Sequence, residues 1–198
     1  MARIILASTS PTRIKLLKDS GIPFEAMPPR IDERLVEKPL REAGRPAGEI
    51  ALALAEAKAS GIGRADRSAF VIGADQMLEC DGRLWIKPSS LDEARQQLVT
   101  LAARTHELHT AVAGVKNGTV IWRHLDSARM TMRPLSLAFI RGYLEKVGED
   151  ALKSVGAYQV EGPGIQLFES IEGDYFTILG LPLLPLLKWL RDEGAIAS

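Results

Sequence analysis

Short apolar runs alternate with helix-forming segments along this chain, and that alternation restricts it to an α/β fold. The apolar run from Arg3 to Ala7 predicts a buried strand, and Ser10 followed by Pro11 predicts the cap and first residue of a helix. A second buried strand is predicted over Phe70 to Ala74, and Asn117-Gly118 predicts the turn of a long hairpin. Together these features predict a mixed central sheet flanked by helices.

Apolar patterns and turn residues predict further helices and strands over the rest of the chain. An apolar face predicts helices, and β-rich runs bounded by turn residues predict strands. The other predicted helices are a short one around Asp32 to Glu37, an Ala-rich helix from Pro46 closed by Gly61 and Gly63, one from Ser90 to about Ala102, one over Leu135 to Val147 and one over Leu183 to Arg191. The other predicted strands are Met77 to Cys80, Leu84 to Ile86, Glu107 to Val115, Val120 to Met132, Tyr158 to Val160 and Ile165 to Ile171.

Composition favours one globular domain over residues 1–198 and excludes several classes of protein. The chain has 25 Lys and Arg against 25 Asp and Glu, so its formal net charge is zero. That balance argues against a dedicated nucleic-acid or membrane-surface binder, which needs a basic face. Cys80 is the only cysteine, which excludes an internal disulfide and a thiolate zinc cluster and favours the cytoplasm. The longest uncharged apolar run, Ile178 to Leu187, is too short to span a membrane.

A hydroxyl-rich turn, Ser8-Thr9-Ser10-Pro11-Thr12-Arg13, lies between the first predicted strand and the first predicted helix. Unpaired backbone N–H groups, the positive end of the helix dipole and the Arg13 guanidinium converge there, and this combination suits a phosphate. The same residues also fit a plain helix cap with a surface arginine.

Asp75 comes where the second buried strand is predicted to end. Ligands gather at such strand ends in α/β sheets, and a carboxylate there can hold Mg²⁺ or orient a water. An aspartate that simply ends a strand in a turn fits equally well. By pattern alone, Lys58, Lys87 and the pair Asp32-Glu33 are ordinary surface charges.

Seven segments, taken in order, span nearly the whole chain and share the pattern of one family. They are LASTSPTR (Leu6 to Arg13), Asp32-Glu33, LAEAKA (Leu54 to Ala59), VIGADQ (Val71 to Gln76), Lys87-Pro88, GAYQVEG (Gly156 to Gly162) and IEGDYFTILGLPL (Ile171 to Leu183). On these motifs the chain resembles the Maf family of nucleoside-triphosphate pyrophosphatases. The resemblance implies an elongated α/β fold of two lobes with a cleft between them.

The resemblance also implies a reaction, the hydrolysis of a nucleoside triphosphate to its monophosphate and pyrophosphate with a divalent metal ion, Mg²⁺ or Mn²⁺. Asp75 corresponds to the proton acceptor and, together with Glu33, to the acidic residues at the metal. The residues on the phosphate side correspond to Ser8, Ser10, Arg13, Lys58 and Lys87. The cations and the metal would offset the charge that builds on the phosphate oxygens as water attacks.

Three positions bear on the base of the nucleotide, and they are Thr12, Gln76 and Glu161. Members similar to the branch that hydrolyses dTTP and UTP tend to carry Arg, Thr and Gln there. Members similar to the 7-methyl-GTP branch carry Gln and Glu at the last two, as this chain does, whereas Thr12 matches neither branch. A guanine edge offers two adjacent donors, which a carboxylate such as Glu161 can accept together. The predicted substrate is therefore 7-methyl-GTP, removed as a non-standard nucleotide.

Two other functions fit the same resemblance. In the first, the chain catalyses the same hydrolysis, but its substrate is dTTP, UTP or a modified pyrimidine nucleotide. The other is a nucleotide-binding regulator without catalysis, since the family is associated with septum formation. The resemblance also leaves a homodimer open, because dimers are common among such proteins.

Overall fold

The computed structural model describes residues 2–197, and its strands form one mixed sheet. The strands are β1 (Ile4–Ala7), β2 (Glu25–Met27), β3 (Phe70–Cys80), β4 (Arg83–Trp85), β5 (Thr105–Lys116), β6 (Thr119–Met132) and β7 (Phe168–Glu172). Their order across the sheet is β2-β1-β3-β5-β6-β7, and β4 pairs with β3 off this path. Strand β1 is parallel to both β2 and β3, whereas the β3–β4 and β6–β7 pairs are antiparallel.

Several helices begin where the sequence supplies a side-chain cap. Ser10 Oγ accepts the Arg13 N–H, and the hydroxyls of Ser90 and Ser136 cap later helices in the same way. The helices are α1 (Pro11–Asp19), α2 (Glu33–Glu42), α3 (Ala47–Gly63), α4 (Leu91–Leu101), α5 (Leu137–Val147), α6 (Tyr175–Ile178) and α7 (Leu183–Asp192). The predicted α/β class, with a mixed sheet flanked by helices, is confirmed.

The prediction that a strand ends at Asp75 is wrong. Residues Phe70–Cys80 form one continuous strand, so no turn separates the two strands predicted on either side of Asp75. The polar pair is tolerated inside the strand because both side chains have buried partners. Asp75 binds Lys58, and Gln76 binds Thr110.

Two other segments also differ from the prediction. Residues 158–160 are not a strand and follow a 3-10 helix over Val155–Ala157, because Gly156 and Ala157 adopt positive φ values of 76° and 60° that break extended backbone. A further 3-10 helix, Pro163–Leu167, delays the last strand until Phe168. Helix α2 is longer than predicted, since it continues through Pro39 and gives up one backbone hydrogen bond there.

By internal packing the chain divides into two compact units, while the single domain expected over residues 1–198 stays a prediction. The first unit comprises residues 2–76, 109–126 and 175–197, and the second comprises residues 77–108 and 127–174. Buried apolar side chains of β1, β3, β5 and α7 form a core of the first unit, among them Ile4, Leu6, Phe70, Ile72, Val112, Leu186 and Trp189. No helix within residues 2–197 combines the length and the apolar character needed to cross a membrane.

Candidate active site

The turn after β1 is held by the hydroxyls of Ser8 and Ser10. Ser8 Oγ accepts the Ser10 N–H at 3.1 Å, and Ser10 Oγ accepts the Arg13 N–H at 3.4 Å. These two backbone N–H groups are therefore engaged within the turn. A serine hydroxyl that accepts a hydrogen bond still has its own proton to donate, so both side chains can serve a phosphate oxygen.

The serine turn and Asp75 both lie just beyond the end of the parallel pairing between β1 and β3. Pairing between β1 and β3 ends with Ala7 opposite Gly73. Ser8 lies one residue beyond that pair, and Asp75 lies two residues beyond it in β3. Asp75 therefore occupies the position at which α/β sheets bind ligands, although β3 itself continues further.

Gly73 allows α3 to pack closely against β3 just before Asp75. A Cβ atom on Gly73 would clash with the Ala55 carbonyl oxygen and would lie 2.7 Å from the Ala59 backbone nitrogen. Ala55 and Ala59 are fully buried on the face of α3 that meets the strand. Lys58 lies on the buried side of the same helix, and the close approach brings it within reach of the acid.

Lys58 joins two carboxylates from different elements. Its Nζ lies 2.6 Å from Asp75 Oδ1 and 3.1 Å from Glu33 Oε2. The Lys58 and Asp75 side chains are 8% and 10% exposed, whereas Glu33, at the start of α2, is 47% exposed. The cluster is therefore buried at Lys58 and Asp75 and open to solvent at Glu33.

Burial raises the pKa of Asp75 above its ordinary value, while the charges of Lys58 and Arg13 act in the opposite direction. A carboxyl group shifted towards neutral pH, yet held beside cations, is suited to accept a proton during a reaction. The electrostatic environment of Asp75 is thus suited to a general base.

Arg13 lies in the first turn of α1 and directs its guanidinium at backbone carbonyls. Nε donates to Gly180 O at 2.8 Å, and Nη1 donates to Ala74 O at 2.9 Å. Burial lowers the pKa of Arg13, but the side chain stays charged because arginine does not lose its proton in proteins. Arg13 links α1 to β3 and to the stretch that precedes α7.

Gln76 makes its contacts away from α3. Its Nε2 donates to Thr110 Oγ1 at 2.8 Å and to the carbonyls of Thr177 and Ile178 at 3.1 Å each. Adjacent residues of a strand point to opposite faces, which explains why Asp75 meets α3 while Gln76 meets α6. Sequence reasoning missed Thr110 and Thr177, because they lie 34 and 101 residues from Gln76 and no motif connects them.

The predicted metal ligands Glu33 and Asp75 present oxygens to the same Lys58 nitrogen. Mg²⁺ is commonly bound by one or two carboxylates with substrate phosphates and waters completing its shell, so the donor chemistry fits this ion. Within residues 2–197 no group of three or more His, Cys, Asp or Glu is placed to hold a metal by itself. A metal ion held by Glu33 and Asp75 would therefore need further oxygens from waters or from the nucleotide.

Most of the predicted site residues belong to the first unit. They are Ser8, Ser10, Thr12, Arg13, Glu33, Lys58, Asp75 and Gln76. Thr12 is partly buried in the first turn of α1. Lys87 and Glu161 are exposed residues of the second unit, and their predicted roles stay predictions.

Comparison with known proteins matches nearly the whole chain. The sequence profile of the family described as Maf-like protein matches residues 3–193. A Rhizobium meliloti (strain 1021) protein named 7-methyl-GTP pyrophosphatase is 54% identical over 193 residues, which cover 98% of this chain and 97% of that protein. A protein of the same name from Brucella abortus biovar 1 (strain 9-941) is 51% identical, with 98% of each chain covered. A Nitrobacter winogradskyi (strain ATCC 25391) protein named nucleoside triphosphate pyrophosphatase is 52% identical, covering 98% of this chain and 95% of that protein.

Proposed function

Because this chain belongs to the Maf-like protein family, we propose that it hydrolyses 7-methyl-GTP to the nucleoside monophosphate and pyrophosphate. Relatives at 54% and 51% identity bear the name 7-methyl-GTP pyrophosphatase. The observation that carries the proposal is the buried Asp75 carboxylate, which contacts Lys58 at the sheet edge where the serine turn begins.

In the proposed reaction a water attacks the α-phosphorus, and Asp75 accepts a proton from that water. A new bond forms between the water oxygen and phosphorus, and the bond from the α-phosphorus to the oxygen that bridges to the β-phosphate breaks. Pyrophosphate leaves with the bridging oxygen. Ser8 and Ser10 donate to phosphate oxygens, while Lys58 and Lys87 add positive charge on the phosphate side.

Glu33 and Asp75 are the residues that would hold Mg²⁺ or Mn²⁺. Such an ion, when bound, neutralises part of the triphosphate charge. Lys58 keeps the two carboxylates together, so both are in place before the nucleotide arrives.

Recognition of the base is assigned to Glu161, the position at which the family resemblance distinguishes the guanine branch from the pyrimidine branch. The Glu161 carboxylate would accept the two donors of the guanine edge, N1–H and the exocyclic amine. The positive charge of 7-methylguanine further favours a nearby anion. Uracil and thymine present one donor between two acceptors and match a carboxylate less well.

A panel of nucleotides tests the proposal. With Mg²⁺ or Mn²⁺, 7-methyl-GTP should give equal amounts of monophosphate and pyrophosphate, faster than GTP, dTTP or UTP, as measured by anion-exchange chromatography. Glu161→Gln should lower the preference for 7-methyl-GTP over dTTP by about tenfold or more, since a charge-assisted hydrogen bond is lost. The matched control Glu145→Gln, at an exposed position of α5, should leave the preference unchanged.

Two outcomes of this panel would contradict the proposal. Faster hydrolysis of dTTP or UTP would assign the pyrimidine reaction to the chain instead. No turnover of any nucleotide would overturn a pyrophosphatase altogether.

The partner and the compartment are proposed from the sequence. Zero net charge favours a free nucleotide over a nucleic acid as the ligand, and the single cysteine favours the cytoplasm. The homodimer that the family resemblance left open would be detected by light scattering of the purified protein.

A further inference from the structure

Glu161 lies in a loop whose two ends meet at one buried histidine. This Glu161 loop comprises residues 158–168, from Tyr158 to Phe168, the first residue of β7. We infer that His106 and Tyr158 are positioning residues, which fix the Glu161 loop and so place the Glu161 carboxylate for the base of the nucleotide. The inference rests on the proposed function, because that function assigns the base to Glu161.

A buried hydrogen bond joins the side chains of His106 and Tyr158. His106 Nε2 lies 2.7 Å from Tyr158 Oη. Burial lowers the pKa of His106 to about 4, so at neutral pH the ring is uncharged and carries one proton. His106 Nδ1 is buried with no hydrogen-bond partner among residues 2–197, so a proton there would be unsatisfied. The favoured tautomer therefore donates from Nε2 to Tyr158, whose own hydroxyl donates to Met130 Sδ at 3.5 Å.

Ring packing brings the two ends of the loop together at the same histidine. The rings of Tyr158 and Phe168 meet edge to face, with their centroids 4.8 Å apart. The His106 ring lies 5.6 Å from that of Tyr158 and 6.0 Å from that of Phe168. Aromatic rings attract each other at such separations. The base of the loop is therefore held on β5, the strand that carries His106.

The backbone just before the loop is strained and is held by side-chain hydrogen bonds. Ala157 has a φ of 60°, a left-handed conformation that is unfavourable for alanine. Tyr143 Oη donates to the Ala157 carbonyl at 3.1 Å, and Ser154 Oγ donates to the Tyr158 carbonyl at 2.5 Å. A Cβ on Gly156 would lie 2.6 Å from the Tyr158 ring, so glycine leaves the room that this ring needs. Strain of this kind persists where the surrounding contacts fix the chain, and it is typical of functional sites.

Within the loop the chain packs against itself around Glu161. The Gly162 N–H donates to the Gln159 carbonyl at 3.3 Å. A Cβ on Gly164 would lie 2.5 Å from the same carbonyl oxygen, so only glycine allows this close approach. Glu161 lies between these contacting residues, and its side chain is exposed. A shift of Tyr158 is therefore passed on to Glu161, because the short stretch between them is itself compact.

Fixing this loop affects the choice of base more than the reaction. A carboxylate accepts two adjacent donors together only when both of its oxygens are correctly oriented. His106, Tyr158 and Glu161 belong to the second unit, whereas Asp75 belongs to the first. Loss of the anchor should therefore raise KM for 7-methyl-GTP and leave kcat nearly unchanged, as expected when an interaction made equally in the ground state and the transition state is weakened.

The test measures kcat/KM for 7-methyl-GTP and for dTTP in His106→Leu and Tyr158→Phe, after thermal unfolding shows that both variants are folded. Both replacements remove the same hydrogen bond and leave an apolar side chain in its place. The ratio of kcat/KM for 7-methyl-GTP over dTTP should fall by about three- to tenfold, mainly through KM, which is the scale of one hydrogen bond.

Two further variants show that the hydrogen bond causes the change. His106→Gln keeps a donor for Tyr158, so its ratio should stay within about twofold of the wild-type value. His124→Leu makes the leucine replacement on β6, in the first unit, and should keep the wild-type ratio.

A double variant shows whether His106 acts through Glu161. In Glu161→Gln protein the carboxylate is already absent, so adding His106→Leu should not lower the ratio further, because coupled positions are not additive. A histidine that only stabilised the fold would lower the rates on both nucleotides alike and would leave the ratio unchanged.

Two results would overturn the inference. Wild-type ratios in folded His106→Leu and Tyr158→Phe would show that their hydrogen bond does not position Glu161. A full effect of His106→Leu in the Glu161→Gln background would show that the histidine acts elsewhere. If neither single variant folds, Tyr143→Phe removes the neighbouring contact with Ala157 and should lower the ratio in the same direction, and an unchanged ratio there would contradict the inference.

Hydrogen–deuterium exchange needs no catalysis and so separates this inference from the proposed function. Exchange of residues 159–167 should speed up in His106→Leu and Tyr158→Phe, while exchange in α1 stays at the wild-type rate. Unchanged exchange in every folded variant would overturn the anchor, whereas a wild-type protein without turnover would overturn the proposed function alone.

Discussion

At the scale of single residues, the chemistry depends on how burial and charge balance at Asp75. Burial raises the pKa of this carboxyl group, and Lys58 and Arg13 oppose the rise. A general base must be ionised, so activity should fall as the pH is lowered through the raised pKa of Asp75. Lys58, at 2.6 Å, is the closest charge that keeps the carboxylate ionised.

Lys58→Met should move the acid limb of the pH profile. Without the lysine charge the pKa of Asp75 rises further, so the limb of kcat/KM, which reports the free enzyme, should shift upward by about 1–3 pH units. Steady-state rates across pH measure the limb, and a carbon-13 NMR titration of the Asp75 carboxyl measures the same group directly.

The exposed pair Lys188 and Asp192 supplies the control for this variant, because Lys188→Met removes the same charge from an ion pair open to solvent. Its acid limb should coincide with that of the wild-type protein. An acid limb that stays in place in Lys58→Met would show that Lys58 does not set the ionisation of Asp75.

Sequence could supply the residues of this cluster but not their pairing. The hydroxyl turn and Ser10 as a cap depend on neighbouring residues, and the structure confirms the cap. The contact of Lys58 with Asp75 spans 17 residues, and that of Arg13 with Gly180 spans 167. Such contacts follow from how elements pack, which no local pattern encodes, so the sequence did not predict which of these residues meet.

At the scale of elements, the site depends on the close contact between α3 and β3. Gly73 in β3 leaves space for the backbone of α3 at Ala55 and Ala59. This contact places Lys58 opposite Asp75. Any residue larger than glycine at position 73 would push the helix away from the strand.

Gly73→Ala should therefore lower both stability and activity. The added methyl group meets backbone atoms that cannot rotate away, and overpacking of this kind costs about 1–3 kcal/mol in the free energy of unfolding. Thermal unfolding followed by circular dichroism and kcat/KM for 7-methyl-GTP measure the two effects.

Gly142→Ala is the matched control, since Gly142 is an exposed residue of α5 and a Cβ there meets nothing within 4 Å. Alanine should stabilise this helix by about 0.5–1 kcal/mol and leave activity unchanged. If Gly73→Ala were as stable and as active as the wild-type protein, the close contact would not matter for the site.

Local signals predicted most of the elements, and two of the misses have identifiable causes. The Asn117-Gly118 turn and the caps of α4 and α5 form where the sequence places them, because a turn or a cap involves only a few adjacent residues. The polar residues Asp75 and Gln76 predict a break inside β3, and the sequence does not reveal that their buried partners lie far along the chain. Composition predicts a strand over residues 158–160, because it does not reveal the positive φ values just before them.

At the scale of the whole molecule, the proposed site combines two hydroxyl donors, two carboxylates and one cation, which four elements of the first unit supply. The turn after β1 supplies Ser8 and Ser10, α2 supplies Glu33, α3 supplies Lys58 and β3 supplies Asp75. Family membership, shown by a match over residues 3–193, agrees with what these residue types can do together. The central claim is that Asp75 accepts the proton of the attacking water.

Replacement of Asp75 by asparagine tests that claim most directly, because the side chain keeps its shape and loses its basic oxygen. The variant is compared with Asp192→Asn, an exposed control at the end of α7, after thermal unfolding shows that both are folded. We expect kcat on 7-methyl-GTP to fall by about 10²- to 10⁴-fold in Asp75→Asn and to stay at the wild-type value in Asp192→Asn. A folded Asp75→Asn protein that hydrolyses 7-methyl-GTP at a rate close to that of the wild type would contradict the claim.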